Sequence, residues 1–490
     1  MVQVSGQNAG QIAVNGAATL AGQVVVDPLS IITHQTTYTI LSSANPLSGT
    51  FNSASVENHF ARDPVLTFVG NTVLLTLQPG LLSPLLPANA PANQVKVAGA
   101  IDNGLLAGNN LSNAFSAIFN TSGNALLNGV TQLSGETATG SQQTTFNAMG
   151  QFMGLLTDPF MNRGGGFNVA PGAIGFAEEG SQASAYAAKS NPTDAFAFVK
   201  APLAKTYDPR WSVWTSAFGG SQSTSGNTAL GSNSTTSNIA GTAVGADYLF
   251  SPNTIAGFAL AGGGTSFNVA NGGTGRSDLF QMGAYVRHTQ GPAYVSASLA
   301  YGWQNITTTR DVTVAGFDQL RAQFNANAWS GRLEGGYRFV QPWIGGIGIT
   351  PYAAAQFVTF DLPAYAEQAI TGLNTFALSY GAQDATDVRS ELGIRTDKSF
   401  AMVDGILTLR GRFAWAHDYD PDRSIAATFQ SLPGASFTVN GASQASDSAL
   451  TTASIEMKWK NNWSVAATFE GEFSSVTNSY AGKGVVRYQW

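Results

Sequence analysis

Val486-Arg487-Tyr488-Gln489-Trp490 ends the chain as an alternating strand whose final residue is tryptophan. Chain ends fray in water, which makes a terminal indole an odd choice for a soluble protein. The same ring is favoured at a lipid–water interface, where a last strand locked into a closed sheet would hold it. The stretch therefore predicts a bacterial outer-membrane β-barrel.

Working back from the end, the same period of two recurs. Trp463, Val465, Ala467, Phe469 and Phe473 oppose Ser464, Thr468, Glu470 and Glu472. Ile455, Met457 and Trp459 oppose Glu456, Lys458 and Lys460. Val388, Ser390, Leu392 and Ile394 oppose Arg389, Glu391, Gly393 and Arg395. Leu333, Gly335, Tyr337 and Phe339 oppose Arg332, Glu334, Gly336 and Arg338. A soluble sandwich would turn the apolar face into a core. A membrane barrel turns it to lipid and the charged face to the lumen. The segments read as roughly nine to eleven residues, the length a tilted strand needs to cross a bilayer. Residues 211–490, at roughly 23 residues per strand and turn, yield about twelve strands, an even number as single-chain bacterial barrels have. Arg332, Glu334, Arg338, Arg389, Glu391, Arg395, Glu456, Lys458, Glu470 and Glu472 are the candidate lumen-facing charges. Their mixed signs suit a wall that meets a plug or a transiting chain, whereas ion selectivity would favour one sign.

Composition agrees. Charged residues are 11% of 490, less than half the share of an ordinary soluble domain, and aromatics are also 11%. A net charge of −6 without a basic run argues against nucleic-acid binding. Cysteine is absent, which excludes disulfides, thiolate metal sites and a cysteine nucleophile. The mean hydropathy of +0.01 is too low for a helical membrane protein. Val65 to Val95 carries no charge, but Gly70, Gly80, Pro79, Pro84 and Pro87 interrupt it, so strands and an extended loop are expected there and not a spanning helix. No signal peptide follows Met1, so an export leader is expected upstream of it.

The first part of the chain has another rhythm. Ile12 to Gly16 and Leu20 to Val26 alternate short strands with Gly and Asn turns, as stacked β-coils do. Such coils bury their apolar face only against neighbours, which predicts further coils upstream. Thr37 to Leu41, Gly49 to Phe51 and Val73 to Leu77 are richer in large apolar residues, as a closing cap should be. From 93 to 134 the apolar residues Val97, Ile101, Leu105, Phe115, Phe119, Leu126, Val130 and Leu133 recur at helical steps, predicting two or three short helices. Residues 137–210 are mixed, with a flexible Gly164-Gly165-Gly166 and an Ala-rich stretch near 183–205 that is expected to form a helix in the pore.

The order of these parts resembles the autotransporters of type V secretion. Trp211-Ser212-Val213-Trp214 with Ala217 to Gly220 resembles the family's entry strand, and Gly241 to Tyr248 its second strand. Arg389 to Arg395, Gly411 to His417, Phe429 to Gly441, Phe469 to Ser474 and the final Arg487 to Trp490 resemble its later segments. Upstream, Tyr38 to Leu41 with Leu47 to Phe51 resembles the junction that closes the passenger, and Leu133 to Glu136 a recurrent element after it. The resemblance implies a mainly β protein in three parts. Residues 1–80 are the end of a right-handed parallel β-helix passenger, 81–210 a helical and flexible linker with the pore helix, and 211–490 the barrel. It also implies translocation of the chain's own passenger to the cell surface, driven by stepwise folding outside. The implied partners are outer-membrane lipid, the barrel-assembly machinery, periplasmic chaperones and the passenger itself, with a monomeric barrel. The assembly signal falls on Tyr488 and Trp490. The family has glycine five residues before the end, where this chain has Val485, with Gly484 one place earlier.

Other motifs read blandly. His34, His59, His288 and His417 are scattered and form no HExxH-type pair. His417-Asp418 has no GxSxG elbow to serve. Asp418-Tyr419-Asp420-Pro421-Asp422 lacks the glycine and distal glutamate of a calcium loop. Gly262-Gly263-Gly264 opens no helix, and Ser134 beside Glu136 reads as a turn. Asn109-Asn110 and Asn461-Asn462 give no support to self-cleavage. No cofactor, metal site or enzymatic activity is expected. The competing functions are a diffusion channel, which needs no upstream coils or helices, and a soluble β-rich surface adhesin. Passenger activity is not legible.

Overall fold

The computed structural model describes residues 1–109, 111–158, 210–341 and 346–490. Residues 1–79 form short strands stacked as coils. Val2–Ser5 pairs in parallel with Gln23–Pro28, which pairs in parallel with Ser53–Val56. Ile12–Val14 lies parallel to Thr36–Ser43, and Ala18–Leu20 to Leu47–Gly49. Val4, Val24, Val26, Leu20, Ile40 and Leu41 fill the interior of the stack. At Gly49 a Cβ would lie 2.4 Å from the Leu20 carbonyl oxygen, so this coil packs closely only with glycine. An antiparallel pair, Ala61–Val69 and Thr72–Pro79, closes the stack, with Val73, Leu75 and Leu77 fully buried.

Among the described residues four α-helices follow: α1 (Ala92–Leu106), α2 (Asn113–Phe119), α3 (Gly123–Leu133) and α4 (Thr139–Thr157). None is long and apolar enough to cross a membrane.

Among the described residues, twelve long antiparallel strands then close into a barrel. In order they are Trp211–Thr224, Thr235–Ser251, Thr254–Val269, Gly273–Gln290, Ala293–Val312, Asp318–Tyr337, Ile347–Leu362, Gln383–Met402, Gly405–Asp418, Asp447–Trp459, Trp463–Phe473 and Thr477–Gln489. First and twelfth strands pair without interruption from Ser212↔Gln489 to Thr224↔Thr477. Trp211 and Trp490 exchange reciprocal backbone hydrogen bonds of 3.1 and 3.0 Å at the seam. Among the described residues none of the twelve long strands is left as an edge, which is what lipid demands of a spanning sheet.

Side chains alternate as the pleat requires. Trp211, Val213, Phe258, Leu260, Leu299, Trp329, Leu333, Phe413 and Phe469 are exposed on the outside. That many large apolar groups in water would be an aggregation surface; in a bilayer they are the solvated face. Tight turns join strands at one end, as at 252–253, 291–292 and 403–404, while longer connections at 225–234, 363–382 and 419–446 rise from the other. The strands are longer than a bilayer crossing needs, up to 20 residues in the fifth, sixth and eighth. Their extra length lies at the long-loop end, where Val312 and Leu320 carry the fifth and sixth strands into a second hydrophobic core.

A plugged and capped pore

α4 runs inside the barrel, packed against the second to seventh strands. Its Phe146, Met149, Phe152, Met153 and Leu156 meet an apolar inner wall that includes Trp214, Phe218, Leu279 and Phe324. Room for the helix comes from small wall residues. A Cβ at Gly283 would lie 2.5 Å from Leu156, one at Gly302 would lie 2.8 Å from Met149, and one on Gly140 of the helix itself 2.3 Å from Phe267. Several polar residues of α4 are satisfied, in two ways. Thr144 and Thr145 donate to the Gly140 and Ser141 carbonyls at 2.6 and 2.8 Å. Gln304 donates to Thr145 (3.0 Å), Asn147 to Ser237 (2.9 Å), Gln281 to the Ala148 carbonyl (3.2 Å) and Gln142 to the Ser424 carbonyl (2.8 Å). Below the helix end, Lys483 of the twelfth strand lies 2.8 Å from Asp158 and 3.1 Å from Glu470.

Charges gather on the rest of the inner wall. Arg332 reaches Glu391 through two 2.8 Å hydrogen bonds and Glu334 through one of 2.9 Å. Arg395 donates to Glu334 at 2.6 and 2.9 Å and stacks 3.7 Å over the Tyr352 ring. Arg389 bonds Asp418 at 2.7 and 3.0 Å and also Glu472. Glu456 pairs with Arg410 at 2.6 Å, and Lys458 is half-buried nearby on the same strand. Arg338 sits past the end of the sixth strand at the short-turn rim, bonded to Asp397 at 2.7 and 3.0 Å. These charges answer one another more than they answer the plug, because a buried charge needs a fixed partner. A cleft of about 170 Å³ remains between the charged wall and α4, lined by Asn147, Gln151, Arg332, Arg389, Glu472 and Lys483 among others.

A cap covers the long-loop mouth. The two longest loops pair with each other, Leu378–Tyr380 against Ser424–Phe429, which also pairs with Ser436–Asn440. Phe376, Leu378, Phe429, Leu432 and Val439 of this loop sheet bury against Val97, Ile101, Phe115, Phe119 and Leu133 of α1–α3. Arg310, from the end of the fifth strand, joins the pieces. It bonds Glu367 at 3.1 and 2.5 Å, the Gln132 carbonyl at 2.6 Å and the Phe376 carbonyl at 2.9 Å. Between cap and plug the chain turns at Ser134-Gly135-Glu136, with Gly135 at φ +67°. Both Glu136 carboxylate oxygens accept from Asn233, through its backbone and side-chain N–H, at 2.6 Å each. Burial pushes the Glu136 carboxyl up to about 7, against the pull of those two hydrogen bonds.

The sequence reading expects the pore helix near 183–205, which lies outside the described residues. The helix seen in the lumen is α4, which that reading missed. α4 turns Phe146, Met149, Met153 and Leu156 to the apolar wall and Asn147, Gly150, Gln151 and Gly154 to the cleft. These apolar residues do recur at helical steps, but the run of Thr, Gly, Ser and Gln before Phe146 carries no such period. The loop sheet was missed for a different reason, since its strands meet only when two distant loops are brought together. Tyr488 and Trp490 both face outward at the seam, their rings 5.9 Å apart, with Trp463 5.0 Å from Tyr488. Val485 points inward among the residues around α4, while Gly484 faces out opposite Ala217 and Ala467. His417 bonds Asp447 (2.9 Å) on the outer face, and Asp418 points inward to Arg389, so the two form no dyad. Among the described residues no acidic or histidine cluster could hold a metal ion.

A closed barrel with an apolar exterior, plugged through its lumen by a helix of its own chain, defines an outer-membrane translocator. The sequence matches the autotransporter β-domain over residues 213–470, a little over half of its length. The chain belongs to this family, whose barrels sit in the outer membrane and deliver their own passenger. An extracellular serine protease of Serratia marcescens is 25% identical over 201 residues, 41% of this chain and 18% of that protein. The chain thus spans under a fifth of the curated relative that it matches. Among solved structures, the translocator domain of the autotransporter NalP from Neisseria meningitidis has a TM-score of 0.47 at 13% identity, covering 57% of this chain and 89% of that one. The β-domain of the Bordetella autotransporter BrkA has a TM-score of 0.45 at 17% identity, covering 57% of this chain and 100% of that one.

Proposed function

We propose that residues 1–133 stand outside the cell, the coils of 1–79 belonging to a secreted β-helical passenger and α1–α3 following them, and that α4 marks the path by which the chain crossed. One observation carries this reading. α4 enters the lumen from the long-loop end, beside Asn233, and descends to Lys483, whereas the first strand starts at the opposite rim beside Trp490. In bacterial barrels the short turns are periplasmic and the longer loops extracellular. A chain that threads its own pore in this sense has been moved through it. The occupied lumen supports a translocator over an open diffusion channel, and the lipid-type exterior supports it over a soluble adhesin.

In this reading the chain has no catalytic task of its own and no cofactor. The barrel works as a monomer. Chaperones carry it across the periplasm, and the assembly machinery reads Tyr488 and Trp490 on the outward face of the closing strand. The test is an epitope inserted at the exposed Gly6-Gln7 turn of the exported protein. Antibody should bind it on intact cells. Binding only after the outer membrane is permeabilised would overturn the orientation.

A further inference from the structure

The cap core is built from two pieces separated by more than two hundred residues of sequence, α1–α3 on one side and the loop sheet on the other. Phe115 of α2 shows how they fit: its ring lies edge-on to both Phe376 (4.9 Å) and Phe429 (5.3 Å), one from each long loop. At α1 the approach is closer still. A Cβ on Gly104 would stand 2.7 Å from the Leu432 side chain, so glycine lets the helix backbone rest on the loop. Polar contacts fix the register. Asn93 and the Asn440 backbone exchange a reciprocal pair at 2.8 and 3.0 Å, and Asn109 donates to the Pro433 carbonyl at 2.9 Å. Apolar anchors in a fitted pocket, with a hydrogen-bonded rim, are the anatomy of a binding interface between separate molecules. Covalent continuity from this segment to the barrel runs only through Ser134-Gly135-Glu136.

We propose that the loop sheet is a receptor for α1–α3, which fastens the surface part of the chain to the barrel without needing the peptide connection. A chain cut inside this segment would keep its amino-terminal piece docked. The inference rests on the surface reading only for where the joint sits; the docking itself is a property of the folded protein in any medium.

The test uses the full chain, purified and folded in detergent, with a recognition sequence for a site-specific protease inserted after Ser122, in the exposed turn between α2 and α3. After complete cleavage, the 1–122 fragment should co-elute with the barrel on size exclusion. Phe115→Ala should speed its release by roughly tenfold or more, as loss of a central anchor does. Leu432→Asp, made on the barrel side, should do the same while the barrel keeps its folded mobility on an unheated gel. Immediate loss of the fragment from a folded barrel overturns the proposal. So does co-elution that neither variant weakens, because the attachment would then lie elsewhere. Cutting the same site on intact cells reports separately on orientation. Resistance there, with docking intact in detergent, sinks the surface reading and leaves the receptor standing.

Discussion

Lys483 of the twelfth strand holds Asp158, just past the end of the lumen helix, at 2.8 Å, with both side chains almost wholly buried. The pair ties the end of the plug to the strand that closes the barrel. Since Glu470 also lies 3.1 Å from the ammonium, one lysine answers two carboxylates.

Replacing Lys483 by methionine should therefore loosen the plug and leave the barrel closed. Stranding a buried charge costs about 3–5 kcal/mol, enough to populate displaced states of α4. Single-channel recording should show larger or more frequent openings than wild type. An unchanged current, with mobility on unheated gels preserved, would falsify the lock.

Arg310→Met should open the cap. Glu367 would stay buried without its counter-charge, and the Gln132 and Phe376 carbonyls would lose their donor. A loss of about 3–5 kcal/mol is expected in this local unit. Limited proteolysis should then cleave within 92–133, with the barrel itself resistant.

Acidity should tighten the joint between cap and plug. Glu136 holds its proton up to about pH 7 in the folded clasp, above the ordinary carboxylate range. The folded joint thus binds more protons than the open one, so its extra stability is complete at acidic pH and fades as pH rises through about 7. Protease sensitivity at Ser134–Glu136 should increase between about pH 5 and about pH 8. Glu136→Gln should flatten that dependence; a variant that keeps the full slope would show that another group titrates.

Gly140→Val should unseat the helix by steric contact alone, because its first added carbon meets the Phe267 ring at 2.3 Å. Overpacking of this kind costs typically about 1–3 kcal/mol. Single-channel current should rise as for Lys483→Met, and combining Gly140→Val with Phe267→Ala should restore the wild-type level.

Tyr488→Ala and Trp490→Ala should lower the fraction of protein assembled in the outer membrane without altering what has assembled. Their rings belong to an outward cluster with Trp463, at the rim where first and last strands meet. The readout is the heat-modifiable band in membrane fractions. Normal assembly of both variants would remove these residues from any signal role.

The outer face of the barrel was legible because lipid imposes a simple rule, apolar side chains at every second position. Leu392 and Ile394 against Glu391 and Arg395 needed nothing more. The inner face follows no such rule. Trp214 and Phe218 point inward, where a water-filled lumen would want polar groups, because the apolar side of α4 lies there. Their pairing with the helix depends on packing between segments that sequence alone does not bring together. The register of the last strand likewise emerged from hydrogen bonding on both sides, which places Val485 inward and Gly484 outward.

Period and composition by themselves determined that this chain stacks short coils, then forms helices, then crosses a membrane with about twelve strands. Those signals are local, set by backbone geometry and by the medium each face meets. Which helix fills the pore, and that two loops and three helices seal its mouth, only tertiary structure decided. The apolar face of one short helix does not say which cavity it fills, because that depends on partners supplied by distant parts of the chain.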